Sequence, residues 1–285
     1  MENEKELYTD LIPFLNCKDY TVSRENFDVM VNKEYEMLVT SPVPKDLENY
    51  YKSETYISHT DSKKTFLDKV YQNVRNHTLK KKCSLLNSFK TDTKKVLDFG
   101  AGTGDFLRVL KNNNWEVLGI EPSLDARKVA AKKGIDLKEN LSAVSNQQFD
   151  VITLWHVLEH VANLKSTIKT LKKLLKPQGR IIVAVPNHNS YDANFYKEYW
   201  AGYDVPRHLW HFSQSAIHRL FSEVDMIVGY ALPMKFDSYY VSLLSERYKT
   251  GKLNPIKAFY RGFISNRKAR STTEYSSLIY VIKNH

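Results

Sequence analysis

With 285 residues, 42% hydrophobic and 12% aromatic, the chain is long enough for one domain, or for one domain with a small appendage, around a filled core. Its two cysteines, Cys17 and Cys83, lack CxxC spacing and exclude a disulfide framework, so a reducing, cytoplasmic setting is expected. The start Met-Glu-Asn-Glu-Lys-Glu does not read as a signal peptide, and no apolar run approaches the roughly 20 residues that span a bilayer.

Residues 1–60 read as an N-terminal β arm, ahead of a main domain over 61–285. Tyr20 to Ser23, Phe27 to Val31 and Glu36 to Thr40 alternate in polarity like three short strands, and Pro42 and Pro44 close the piece. Tyr50 to His59 is rich in aromatic residues. A long helix is expected over 63–89, with Leu67, Val70, Tyr71 and Val74 on one face.

Val96 to Phe99 is a short apolar run suited to a buried strand. Gly100, Gly102 and Gly104 follow at every second position, then the helix start Asp105-Phe106-Leu107. A strand, a glycine turn and a helix start let a ligand lie against bare backbone. A dinucleotide fingerprint would need a third glycine where Asp105 stands, which disfavours a nicotinamide-dependent oxidoreductase. Glu116 to Ile120 reads as a second strand. Glu121 ends it, 23 positions after Asp98, where a carboxylate accepts both hydroxyls of a ribose. Phe149 to Leu154 is a further buried strand ending at Trp155. The helix after it has Asn163 as N-cap and Leu164, Ile168, Leu171, Leu174 and Leu175 as its apolar face. Lys176-Pro177-Gln178-Gly179 closes that helix, and Arg180 to Val185 is the next strand, ending at Pro186.

The strand-borne Asp98 before Gly-x-Gly-x-Gly resembles motif I of the class I S-adenosylmethionine-dependent methyltransferases. Phe-Asp-Val-Ile, Leu-Lys-Pro-x-Gly and the following strand continue that pattern over 96–187 and more loosely to about 230. The resemblance implies an α/β, doubly wound, seven-stranded Rossmann-like sheet. Met226 to Leu232 and Ser277 to Ile282 would be its last strands, the final one antiparallel. It also implies S-adenosyl-L-methionine as cofactor, held by Asp98, Gly100, Ala101, Gly102, Gly104, Glu121, Pro122 and Trp155. Glu121 would take the ribose, and the Trp155 face would meet the sulfonium. The small N-terminal meander resembles the zinc-ribbon appendage of some relatives, but only Cys17 remains, so no zinc is expected. In relatives the segment before the core often covers the cofactor, a role open here to Tyr51, Tyr56 or His59, with packing on the core as the alternative.

Methyl transfer to a hydroxyl or an amine needs a base. His156, His160, His208 and His211 are the candidates. If a helix opens at His156, then His156, Glu159 and His160 share one face. In the small-RNA 2′-O-methyltransferases and the ubiquinone-pathway O-methyltransferases a Glu-x-x-Glu-His face holds a divalent metal. This chain looks similar at Glu159, His160 and His211, but has His156 where the first Glu would stand, so no metal is expected. The run Ser190 to Asp204 holds Tyr191, Phe195, Tyr196, Tyr199, Trp200 and Tyr203, expected to line an acceptor pocket or to pack. Ser213 caps a helix with Ile217, Leu220 and Phe221.

Residues 238–272 form an expected helical insert. They carry eight lysines and arginines against Glu246 alone. Asn254-Pro255 starts a helix with Ile256, Phe259, Tyr260 and Phe263 at helical spacing beside Lys257 and Arg261. This face either packs on the domain or meets a phosphate-bearing, lipid-linked or membrane-surface partner. Methyl transfer to a small or lipid-like acceptor, at oxygen, is the expected activity. The alternatives are C-methylation of a nucleotide sugar and a non-catalytic cofactor-binding module. Peripheral contact with an anionic membrane through 238–272 is an expected partner interaction, and nucleic acid is not expected.

Overall fold

The computed structural model describes residues 2–51 and 66–285. Tyr56, His59, the first positions of the expected 63–89 helix and the side chains of Leu67, Val70 and Tyr71 lie outside the described residues.

The chain opens with strands β1 (Ile12–Lys18), β2 (Asn26–Asn32) and β3 (Met37–Ser41), then helix α1 (Phe66–Asn87). Strand β4 (Lys95–Phe99), helix α2 (Asp105–Lys111), strand β5 (Glu116–Ile120), helix α3 (Leu124–Lys132) and strand β6 (Leu137–Lys138) follow. Next come β7 (Phe149–Trp155), α4 (Leu164–Leu174), β8 (Leu175–Pro186), α5 (Tyr191–Tyr196), β9 (Trp210–His211) and α6 (Gln214–Ser222). The last elements are β10 (Met226–Pro233), α7 (Asp237–Thr250), α8 (Pro255–Thr272) and β11 (Ser277–Asn284).

Among the described residues a seven-stranded sheet runs in the order β10-β11-β8-β7-β4-β5-β6. Strand β11 is antiparallel to both neighbours, and the remaining pairs are parallel. The period of two along each strand feeds two cores. Leu97, Ile152 and Val183 join the α4 and α6 residues Leu164, Ile168, Ile217 and Leu220 on one face. Val96, Val151 and Ile182 join Leu86, Phe106, Leu110 and Ala130 from α1, α2 and α3 on the other. This is the expected doubly wound α/β fold. Chain order reverses between β4 and β7, so the crevice at their carboxyl ends is the ligand-binding switch point.

The arm departs from expectation in register. Tyr20 to Ser23 is not a strand. Asp19 is buried and accepts the backbone N–H groups of Thr21, Val22 and Ser23, which folds that segment into a turn. The first strand lies earlier, at β1. The expected domain boundary at residue 60 falls outside the described residues. On the described side the arm is continuous with the main body: β1, β2 and β3 pair in turn and β9 adds a fourth antiparallel strand. Asn163 stands at the N-cap position of α4 without a side-chain cap bond. The Glu4 carboxylate, from the chain start, accepts the Lys165 N–H at 3.0 Å instead. Ser213 and Asn254 cap α6 and α8 as expected, accepting from Ala216 and Lys257.

Arg207 ties the arm down. Its guanidinium is buried and donates to Asp19 at 3.1 Å, to both oxygens of Asp204 at 2.6 and 2.9 Å, and to the Tyr50 carbonyl at 3.1 Å. Burial works to raise the Asp19 carboxyl, but the Ser23 and Thr21 N–H groups and Arg207 hold it well below the usual range. Tyr196, Trp200 and Tyr203 are buried with Cys17, Phe27 and Val29. These aromatic residues cement the arm to the core, and Trp200 and Tyr203 also border a narrow crevice with Cys17, Tyr20 and Arg207.

His211 is also interior. It is buried on β9, and its Nε2 meets the Thr40 hydroxyl at 2.9 Å, so it serves the seam between arm and core and not an open site. Burial holds His211 well below its usual pKa and lowers His188 to about 4.

Two outcomes follow. Asp19→Ala removes a buried partner of Arg207 and should lower unfolding stability by about 3–5 kcal/mol in urea titration; a change near zero would show that Arg207 does not tie down the arm. Because His188 and His211 are neutral when folded, the unfolded chain binds more protons between pH 6.5 and about 4. Stability should therefore fall as pH drops through that window, read as melting temperature against pH, and His188→Gln should flatten the slope.

Candidate active site

The turn after β4 gives the site its floor. Gly100, Gly102 and Gly104 have φ of 79°, 53° and 74°, which L side chains rarely adopt. Gly100 and Ala101 donate to the Ile120 carbonyl at 2.8 and 2.9 Å, pinning the turn to the tip of β5. A Cβ on Gly100 would lie 2.3 Å from Val157 Cγ2, and one on Gly104 would lie 3.1 Å from the Ala130 methyl. At Gly102 nothing lies within 4 Å. Two of the glycines thus serve close packing, and the third borders open space where a ligand fits.

Glu121 stands at the tip of β5 as expected. One of its oxygens accepts the Gly102 N–H at 2.8 Å, and the other accepts the Ser123 N–H at 2.9 Å. Arg127 donates to the Glu121 and Pro122 carbonyls at 2.6 and 2.7 Å, which fixes this turn. Asp98 is buried at the switch point and accepts the Thr153 hydroxyl from β7 at 2.6 Å. Burial first, and Glu121 second, push Asp98 up, while Thr153 and Lys82 oppose them.

Two residues that the sequence reading did not single out sit here. The Lys82 ammonium, from α1, lies 4.1 Å from the centroid of the Trp155 ring. Burial lowers Lys82 to about 8, against the attraction of Asp98 and Asp237. Trp155 does lie at the end of β7, and one face of its ring is occupied by this lysine. Its indole N–H is buried without a partner among the described residues. The second residue is Asp237, the first of α7. Its carboxylate is 3.1 Å from His156 Nε2, while His156 Nδ1 lies 3.3 Å from Glu159.

The histidines separate by role. No helix opens at His156, which has φ of 56° and donates its N–H to the Ala184 carbonyl at 2.9 Å. Only Leu158–His160 forms a short 3-10 turn. Burial would lower His156, but Asp237 and Glu159 raise it to about 10, so at neutral pH it is a cation and not a base. Burial first, and His208 second, lower His160 to about 4. The ring of His160 is therefore neutral. Its Nδ1 faces the Arg207 carbonyl at 3.0 Å and the Tyr51 hydroxyl at 3.1 Å. His208 Nδ1 donates to the Gly202 carbonyl at 2.9 Å, and its ring crosses that of His160 with centroids 4.6 Å apart.

These bonds leave both Nε2 atoms directed elsewhere. Glu159, His160 and His208 each offer a ligand atom within 4.8 Å of the others. Glu159 is 1% exposed, and its Oε2 is buried without a partner among the described residues. An orphaned carboxylate oxygen beside two imidazoles with tied Nδ1 atoms fits a divalent cation. No metal was expected from the sequence. The donors that gather are Glu159, His160 and His208, without His156 or His211.

Comparison with known proteins agrees with the fold. A family model described as a methyltransferase domain matches residues 71–226. Ubiquinone biosynthesis O-methyltransferase of Proteus mirabilis is 35% identical over 106 residues, covering 34% of this chain and 43% of that protein. The Actinobacillus pleuropneumoniae enzyme of the same name is 36% identical over 108 residues, covering 33% and 46%. The chain thus spans less than half the length of these curated relatives. Magnesium protoporphyrin IX methyltransferase of Synechocystis, solved with bound S-adenosylmethionine, shares the fold at a TM-score of 0.51 and 13% identity, covering 84% of this chain and 95% of that one. Coclaurine N-methyltransferase does so at 0.52 and 15%, covering 79% and 76%. With Gly102 open, Glu121 at the tip of β5 and Asp98 at the switch point, the chain belongs to the methyltransferase-domain family and has the fold of the class I S-adenosylmethionine-dependent methyltransferases.

Proposed function

We propose that the chain methylates a hydroxyl oxygen on a small or lipid-like acceptor. The Glu159–His160–His208 cluster carries this reading, because an oxygen acceptor must lose a proton and these are the groups that can assist its loss. The curated relatives named for O-methylation in ubiquinone biosynthesis support it over a third of the chain. C-methylation of a nucleotide sugar and a non-catalytic binding module draw no such support.

The cofactor supplies a methyl group on a sulfonium, and transfer is an in-line displacement. The chain has to hold the acceptor oxygen about 3 Å from that methyl group and in line with it. Glu121, already fixed by Gly102 and Ser123, takes the ribose hydroxyls. Asp98 and Lys82 flank the deeper end of the crevice. His160 is neutral at any physiological pH, so its Nε2 lone pair is available, but a group lowered to about 4 is a weak base by itself. This favours Glu159, His160 and His208 as holders of a divalent cation, which would lower the pKa of a bound hydroxyl.

Glu121→Ala should weaken binding of the demethylated product S-adenosylhomocysteine by about 2–3 kcal/mol in calorimetry. Unchanged affinity would remove Glu121 from the ribose role. His160→Ala should keep that affinity and lose roughly 10²–10⁴ in turnover on a phenolic acceptor panel scored by mass spectrometry. Chelation should abolish turnover, with rescue by one divalent ion. Full activity in chelator would leave His160 or His208 acting without metal.

A further inference from the structure

Helix α8 has two faces of opposite character. Ala258, Gly262, Ser265 and Ala269 are buried, with Gly262 against α7 and the Ser265 hydroxyl donating to Asp192 of α5 at 2.6 Å. A Cβ on Gly262 would lie 2.7 Å from Tyr239 Cδ1 and 2.9 Å from Tyr239 Cα, so the two helices meet backbone to backbone. The opposite face carries Ile256, Phe259, Tyr260 and Phe263 at i, i+3, i+4 and i+7, and these are 84%, 63%, 58% and 49% exposed. The domain is packed by the small residues; of the large apolar ones, Phe259 stacks one side of its ring on Tyr239 of α7 at 5.0 Å and still stays mostly exposed, and Ile256 is the most exposed of the row. A contiguous apolar row of this kind on a surface marks an interaction site.

Charge selects the partner. Residues 253–272 contain no Asp or Glu. Lys257, Arg267, Lys268 and Arg270 are exposed. At 100° per residue Arg267 and Arg270 continue the apolar stripe, and Lys257 and Lys268 run along one flank. A second copy, at net charge +10, would set like charges against this row. Lipid phosphates would neutralise it.

We infer that the outer face of α8 docks on an anionic lipid surface. The stripe of Ile256, Phe259 and Phe263 enters the boundary between headgroups and acyl chains, and the arginines and lysines meet the phosphates. No helix among the described residues is long and apolar enough to cross a membrane, so the contact is peripheral. Asp237 at the start of α7 meets His156, which sets the docked helix pair beside the site mouth. The docking goes beyond the methyl-transfer reading and does not require a lipid acceptor.

The test is co-sedimentation of the full chain with vesicles of phosphatidylcholine, alone or mixed with phosphatidylglycerol. Binding is expected only to the acidic vesicles, with release by high salt. Ile256→Ser with Phe263→Ser, and separately Arg267→Glu with Arg270→Glu, should each weaken partitioning at least about 10-fold. Both variants should keep the parent melting temperature and S-adenosylhomocysteine affinity, which separates lost docking from lost folding. Equal binding to both vesicle types, binding to neither, or variants that partition like the parent would overturn the inference. So would a concentration-dependent dimer that the Ile256/Phe263 variant abolishes.

Discussion

The buried guanidinium of Arg207 is the constraint on which the organisation of the site depends. It neutralises Asp19 from the arm and Asp204 from the segment before β9, and it takes the Tyr50 carbonyl as well. Its own carbonyl accepts from, or faces, His160 Nδ1. One residue thus fixes the arm, the loop bearing His208 and the orientation of the His160 ring. A buried ion pair of this kind adds little net stability over an apolar substitute, but removing one member leaves an uncompensated charge. Its effect is on uniqueness of arrangement, and two imidazoles whose Nδ1 atoms are committed depend on that.

The glycine turn applies the same economy to backbone. Gly100 and Gly104 allow β4, α2, α3 and Val157 to approach closely, and Gly102 alone faces open space. Glu121 braces the Gly102 N–H, so the glycine floor and the group proposed to take the ribose are one hydrogen-bonded unit. Asp98 and Thr153 close the switch point across the two central strands. The site is therefore a property of the sheet order as much as of any side chain.

What the sequence disclosed follows from range. The β4 run, the glycines, Glu121 and the β7 strand are local patterns with fixed spacing, and each lies where the spacing said. Asp19 was hidden because a turn made by one carboxylate looks like a polar residue before an alternating stretch. Lys82 lies in the run Lys80-Lys81-Lys82, where nothing local distinguishes the one that points inward. Asp237 and His156 are 81 residues apart, and only the fold brings them together. The aromatic density of 190–204 left pocket lining and packing open, because composition does not say which way a ring turns. Arg261 and Lys268 cover Phe195 and Tyr191, at 3.8 and 4.2 Å, and most of the other rings are core. In α8 the pattern was legible but its orientation was not: small residues won the packed face because they let helices touch.

That close contact has a mechanical consequence. With Gly262 against Tyr239, and the Ser238 hydroxyl donating to the Gly262 carbonyl at 3.2 Å, α7 and α8 have no compressible layer between them. They behave as a single stiff plate. Asp237 is at one edge of the plate, and the exposed stripe is its outer surface. A tilt imposed on the outer surface is not absorbed between the helices. It would move the Asp237 carboxylate relative to the His156 imidazole, which lies 3.1 Å from it just past the end of β7.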